Sequence, residues 1–152
     1  MSDEIVKIPV HIDFFGEGSN LDNLAHKALQ WAKKNVSNIP IVCQAVNKRE
    51  VHFSNNKIRH SIENVRNNHS SEFTKEFIAL IQVLPELIKT AEYRYGEEDK
   101  DGRDEILKVI MLKGRVIING KEKAVEIILR DTVIIGEEES RLIFYQHSFT
   151  EA

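Results

Sequence analysis

Two histidines set far apart in the chain, His60 and His147, are the side chains best suited to moving protons near neutral pH. Near the first, the stretch FSNNKIRHS (53–61) opens with a helix start signal at Ser54 and puts Lys57, Arg59 and His60 on the opening turns. Near the second, Tyr145 stands two residues before His147. Cleaving RNA without a metal takes a base for the 2′-hydroxyl proton, an acid for the leaving oxygen, and cations for the charge that builds on phosphorus. The assignment that follows makes His60 and His147 the acid–base pair and Lys113 and Arg115 the phosphate clamps, with Tyr145 orienting the substrate. Ser54, Lys57, Arg59 and Arg130 are the substrate-binding set, with the helix N-terminus itself favouring an anion. The competing assignment leaves both histidines as solvated surface groups.

Other motifs carry less. GEGS (16–19) lacks the glycine pattern and the Gly-Lys-Ser/Thr of a phosphate loop and reads as a turn. EEDKDGRDE (97–105) aligns Glu97, Asp99, Asp101 and Gly102 with a calcium loop, but position 12 falls on Lys108 instead of a bidentate glutamate, so it reads as a solvated acidic loop. The six histidines form no HExxH pair and the single cysteine, Cys43, cannot build a structural zinc site. No metal and no cofactor are expected.

The elements that must position these groups follow from periodicity. The run 4–12 alternates as an edge or entry strand. Ser19 or Asn20 then caps a helix with Leu21, Leu24, Ala25, Ala28, Ala32 and Val36 on one face. Strands are predicted at 39–46, holding Cys43 as a buried thiol, and at 49–53. Ile58, Ile62 and Val65 make the apolar stripe of the next helix. On 100° steps His60 falls on its polar face with Asn56, Asn64 and Asn67. A further helix starts near Ser71 and breaks at Pro85 before a short PELIKTA helix. Asn119-Gly120 predicts a tight hairpin whose partners sum to 239, so that Lys113 faces Glu126 and Arg115 faces Ala124. Strand 141–149 closes the chain. With Leu142 and Phe144 inward, alternation puts Tyr145 and His147 on the open face with Lys113, Arg115 and Arg130. The expected architecture is α+β, with N-terminal helices packed on one face of a C-terminal antiparallel sheet of about four strands. Residues 1–48 form a strand-helix-strand lead-in integral to the domain, and 49–152 the core.

At 152 residues the chain suits one domain. A net charge of −3 is unlike a non-specific nucleic-acid binder, so an RNA site must be a local basic patch. No run reaches the roughly 20 apolar residues of a membrane span. With no signal peptide and a single cysteine, the expected setting is cytoplasmic.

From residue 50 onward the order of pieces resembles the phage-associated domains of the barnase/EndoU/colicin E5-D/RelE-like nuclease group. The segments concerned are VHFSNNKIRHSI, LPELIKTAEY, a long hairpin turning at INGK, and LIFYQHSF. Ser54 and His60 match the group's helix-start motif, and Tyr145 and His147 its terminal strand; Lys113 and Arg115 are added from the hairpin register. The resemblance implies a metal-independent endoribonuclease of phage or toxin type, with RNA as substrate and an immunity or antitoxin protein as partner. The alternative is a catalytically inactive RNA- or protein-binding accessory domain of the same fold. A third expectation is a homo-oligomer formed through edge strand 4–12 or 141–149.

Overall fold

Asn119 and Gly120 take positive φ values of 53° and 75°, the left-handed pair that a two-residue hairpin turn demands. They join strand β5 (Ile106–Ile118) to β6 (Lys121–Thr132) in the expected register, Lys113 opposite Glu126 and Arg115 opposite Ala124. The other strands assemble around this ribbon. In the computed structural model, residues 6–18, 20–37, 39–98 and 105–151 are described. Ser19, the start of the 4–12 strand and most of the acidic 97–105 segment lie outside them.

The sheet corrects the expected architecture. Seven strands form one mixed sheet, in the order β1-β5-β6-β7-β3-β2, curled into a half-barrel. Here β1 is Lys7–Val10, β2 Ile41–Cys43, β3 Arg49–His52 and β7 Arg141–Glu151. Strand β4 (Glu92–Glu97) pairs with residues 109–113 of β5, on the same edge where β1 pairs in parallel with residues 115–118. A second parallel pairing sets Val51 beside Leu142 and His52 beside Ile143. The short N-terminal strands are therefore members of the C-terminal sheet, and the helices lie between them in the chain rather than ahead of the whole sheet. Parallel neighbours need long crossovers, and the helices supply them.

Helix α1 (Leu21–Asn35) is capped by the Asn20 side chain and buries Leu24, Ala28 and Ala32. Helix α2 (Asn55–Asn68) is capped by Ser54 and buries Ile58, Ile62 and Val65, the expected stripe. Helix α3 (Ser71–Ala79) gives way to a tighter turn at Leu80–Val83, and α4 (Leu84–Thr90) restarts with Pro85 in its first turn. The break thus falls just before the proline, which needs no N–H at that place. Residues from all four helices and from every strand except β4 share one hydrophobic core, and Cys43 is fully buried in it. Burial raises the Cys43 thiol's pKa above its ordinary value.

Strand β7 departs most from the expected pattern. Its partners on β6 step from Leu129–Phe144 to Ile128–Gln146, so Tyr145 is the extra residue of a β-bulge. One inserted residue reverses the alternation. Leu142 and Phe144 face the core before the bulge, and His147 and Phe149 face it after.

Candidate functional site

Helix α2 runs beside β7, and concavities that share walls line the seam between them. The first, about 410 Å³, is bounded by Lys57, His60, Ser61 and Asn64 of the helix and by Tyr145 and Gln146 of the strand. The helix contributes at i, i+3, i+4 and i+7, the spacing of one face. A second, about 200 Å³, shares Lys57 and Tyr145 and adds Arg130, Thr132, Ile143 and Glu105. A third, about 240 Å³, shares Ser61, Asn64 and Gln146 and continues to His69, Phe73 and Ser148.

Tyr145 stands at the wall common to the first two. Its ring points outward, as alternation from Phe144 requires, and there the Arg130 guanidinium lies 3.4 Å from the ring centroid and the Lys57 ammonium 5.1 Å away. Each such contact contributes about 0.5–1 kcal/mol at an exposed site, enough to hold the ring and both cations in one cluster. His60 is three-quarters exposed, on the polar face with Asn56, Asn64 and Asn67 as expected, and its Nδ1 lies 3.9 Å from a Glu63 carboxylate oxygen. Ser54 spends its hydroxyl on the helix, accepting from the Lys57 N–H at 3.3 Å. Arg59 is exposed and walls none of these three concavities.

The remaining expected site residues sit elsewhere. Lys113 and Arg115 are on the open face of β5, separated from β7 by β6, about 10 Å away at ordinary strand spacing. Arg115 is engaged by Glu122 at 3.4 Å, and Lys7 holds the same carboxylate oxygen. His147 was expected on the open face and is instead 3% exposed in the core, because of the Tyr145 bulge. Its ring lies parallel to Phe77 at 4.0 Å, and neither nitrogen has a hydrogen-bond partner of normal geometry among the described residues. Burial lowers its pKa to about 3, so at neutral pH it is an uncharged ring inside the protein. The structure thus brings together His60, Lys57, Tyr145 and Arg130, and separates from them His147, Lys113 and Arg115. Ser61, Asn64 and Gln146 line the seam and were not expected; the helical spacing from Lys57 was the signal that could have found the first two. Among the described residues no three His, Cys, Asp or Glu side chains gather as a metal site, and no helix is long and apolar enough to cross a membrane.

A mixed half-barrel sheet with a helix–strand seam of cations, amides and one clamped tyrosine defines a small α+β domain. The model of the large polyvalent protein-associated domain 3 family matches residues 19–145, and the chain belongs to that family. It is thus a phage-associated, polyvalent-protein domain, which is the coarser part of the resemblance drawn from sequence. Neither a curated protein nor a solved structure matches the chain.

Proposed function

We propose that this chain is a single-stranded RNA-binding accessory module that holds its ligand without cutting it. The observation that carries this reading is Tyr145, flanked by Arg130 and Lys57 at the junction of two concavities. Proteins that grip single strands combine aromatic faces for bases with cations for the backbone, and each base–aromatic stack contributes about 1–3 kcal/mol. With a net charge of −3 the whole surface does not attract RNA, so affinity rests on this local cluster.

Binding is favoured over cleavage by the count of proton-transfer groups. An endoribonuclease of the barnase/EndoU/colicin E5-D/RelE-like kind that used His60 and His147 would need both at one phosphate. His60 is at the seam, whereas His147 is buried and uncharged. Without the second group, the acid–base pair loses a member and the cations keep only a binding role.

The test is fluorescence anisotropy with a labelled mixed-sequence single-stranded RNA and its duplex, in EDTA, with the RNA run on a gel afterwards. The expected result is preference for the single strand, intact RNA, and affinity falling with salt at a slope of about −1.4, as phosphate contacts by the two cations Lys57 and Arg130 imply. Tyr145→Ala is expected to weaken binding about tenfold or more. Absence of binding at low salt would overturn the reading. RNA cleavage by the wild type that disappears in His60→Ala would return the chain to the enzymes.

A further inference from the structure

The far end of the same seam carries a second aromatic feature. Where α2 ends, His69 lies parallel to Phe73, with centroids 4.3 Å apart and planes 19° apart. Phe73 in turn lies parallel to Phe149 at 4.4 Å and 7°. Burial falls outward along this three-ring stack: Phe149 is 3% exposed, Phe73 half-buried and His69 exposed. A pile of parallel rings rooted in the core and ending on an exposed ring is a preformed platform. Its geometry is fixed before anything lands on it, so an added planar ring loses little ordering entropy. His69 and Phe73 also wall the concavity that joins the Tyr145 end through Asn64 and Gln146.

We propose that His69 is a second base-stacking platform, and that the seam holds one RNA strand by its two ends. This deepens the RNA-binding reading and rests on it. One base stacks at Tyr145, with the neighbouring phosphate at Lys57 and Arg130. The strand then follows α2, where the Asn64 and Gln146 amides offer donors and acceptors to bases, and a later base covers the outer face of His69. The amides suit that middle stretch because they pair with base edges without demanding a charge.

The geometry sets a length. Lys57 and Asn68, the last residue of α2, are 11 residues apart, about 16.5 Å at 1.5 Å per residue, and the extended His69 that follows brings the span to about 18 Å. A stacked strand advances about 3.4 Å per nucleotide step, so about five steps, or six nucleotides, are needed to touch both ends, and somewhat fewer if the strand is extended. A dinucleotide reaches one platform only.

The experiment measures binding of oligouridylates of two and six nucleotides to the full chain. In the wild type the hexanucleotide is expected to bind at least tenfold more tightly than the dinucleotide. His69→Ala is expected to reduce that ratio to about the two- or threefold that extra length gives by statistics, with dinucleotide affinity falling by no more than about twofold, the share lost with one of its two platforms. His69→Phe, which keeps a flat ring, is expected to restore the ratio. A hexanucleotide affinity that falls in Tyr145→Ala and not in His69→Ala would overturn the second platform alone. Failure of the wild type to bind either length would overturn the RNA reading and the platform with it. A control of thermal unfolding separates loss of the platform from loss of the fold, since His69 is exposed and its replacement leaves the core intact.

Discussion

The imidazole of His147 lies flat on the phenyl ring of Phe77, centroids 4.0 Å apart and planes 10° apart, with neither nitrogen in a hydrogen bond of normal geometry among the described residues. A buried polar group left without a partner costs about 1–3 kcal/mol, whereas an apolar group of the same shape does not. His147→Phe keeps the stack and removes both orphaned nitrogens. It is expected to raise stability by about 1 kcal/mol, read as a higher urea midpoint with an unchanged slope. A lower midpoint would mean that the contact of the imidazole with the Phe77 backbone outweighs the gain.

The same residue sets an acid limit. Its pKa is lowered to about 3 in the fold and lies near 6.5 in the unfolded chain, so between those values the unfolded state binds more protons. Stability is full above about pH 6.5 and falls as pH drops toward 3, by up to ~1.4 kcal/mol per unit. Urea midpoints at pH 7.5, 6, 5 and 4 are expected to decline in the wild type and to stay flatter across that window in His147→Phe.

Gly114 is where α4 meets β5. A Cβ there would stand 2.6 Å from Leu87 Cδ2, and Leu87 is fully buried. Gly114→Ala therefore forces a core side chain to move and is expected to cost about 1–3 kcal/mol. Leu87→Val vacates part of that space, so the two changes together are expected to cost less than their sum in thermal unfolding, the sign of a direct clash.

Arg49 of β3 reaches across β7 to Asp131 of β6, with paired contacts of 3.0 and 3.1 Å, and also meets the Ser140 carbonyl at 3.2 Å. Burial acts to raise the Asp131 pKa, but hydrogen bonds from Arg49 and Ser140 outweigh it and hold the carboxyl below its usual value. A depressed carboxylate stabilises above its unfolded pKa near 4 and loses that contribution as pH falls through the folded value. Arg49→Leu leaves Asp131 without its main partner and is expected to lower stability by about 1–3 kcal/mol at pH 7. At pH 3 the deficit is expected to shrink, which paired unfolding curves at the two pH values would measure.

Local signals were legible and their assembly was not. The Asn119-Gly120 turn, the Asn20 and Ser54 caps, the Ile58–Ile62–Val65 stripe and the exposure of His60 all follow from neighbours a few residues away. The pairings Lys7–Arg115 and Val51–Leu142 join segments about 100 residues apart with no turn chemistry between them to announce it. Strand β4 hides because Glu92 to Tyr95 are exposed throughout and show no alternation. The decisive miss at the site was one residue. The Tyr145 bulge carries no glycine or proline to mark it, yet it sends His147 inward and leaves Tyr145 alone on the outer face with Arg130 and Lys57.

The parallel pairing of β1 with β5 has a consequence for how the chain is made. Lys7 finds its partner Arg115 only after 108 further residues have been synthesised (115 − 7), which takes roughly 5–20 s at ordinary elongation rates. Over that interval the apolar faces of α1 to α4 leave the ribosome before the ribbon that covers them exists.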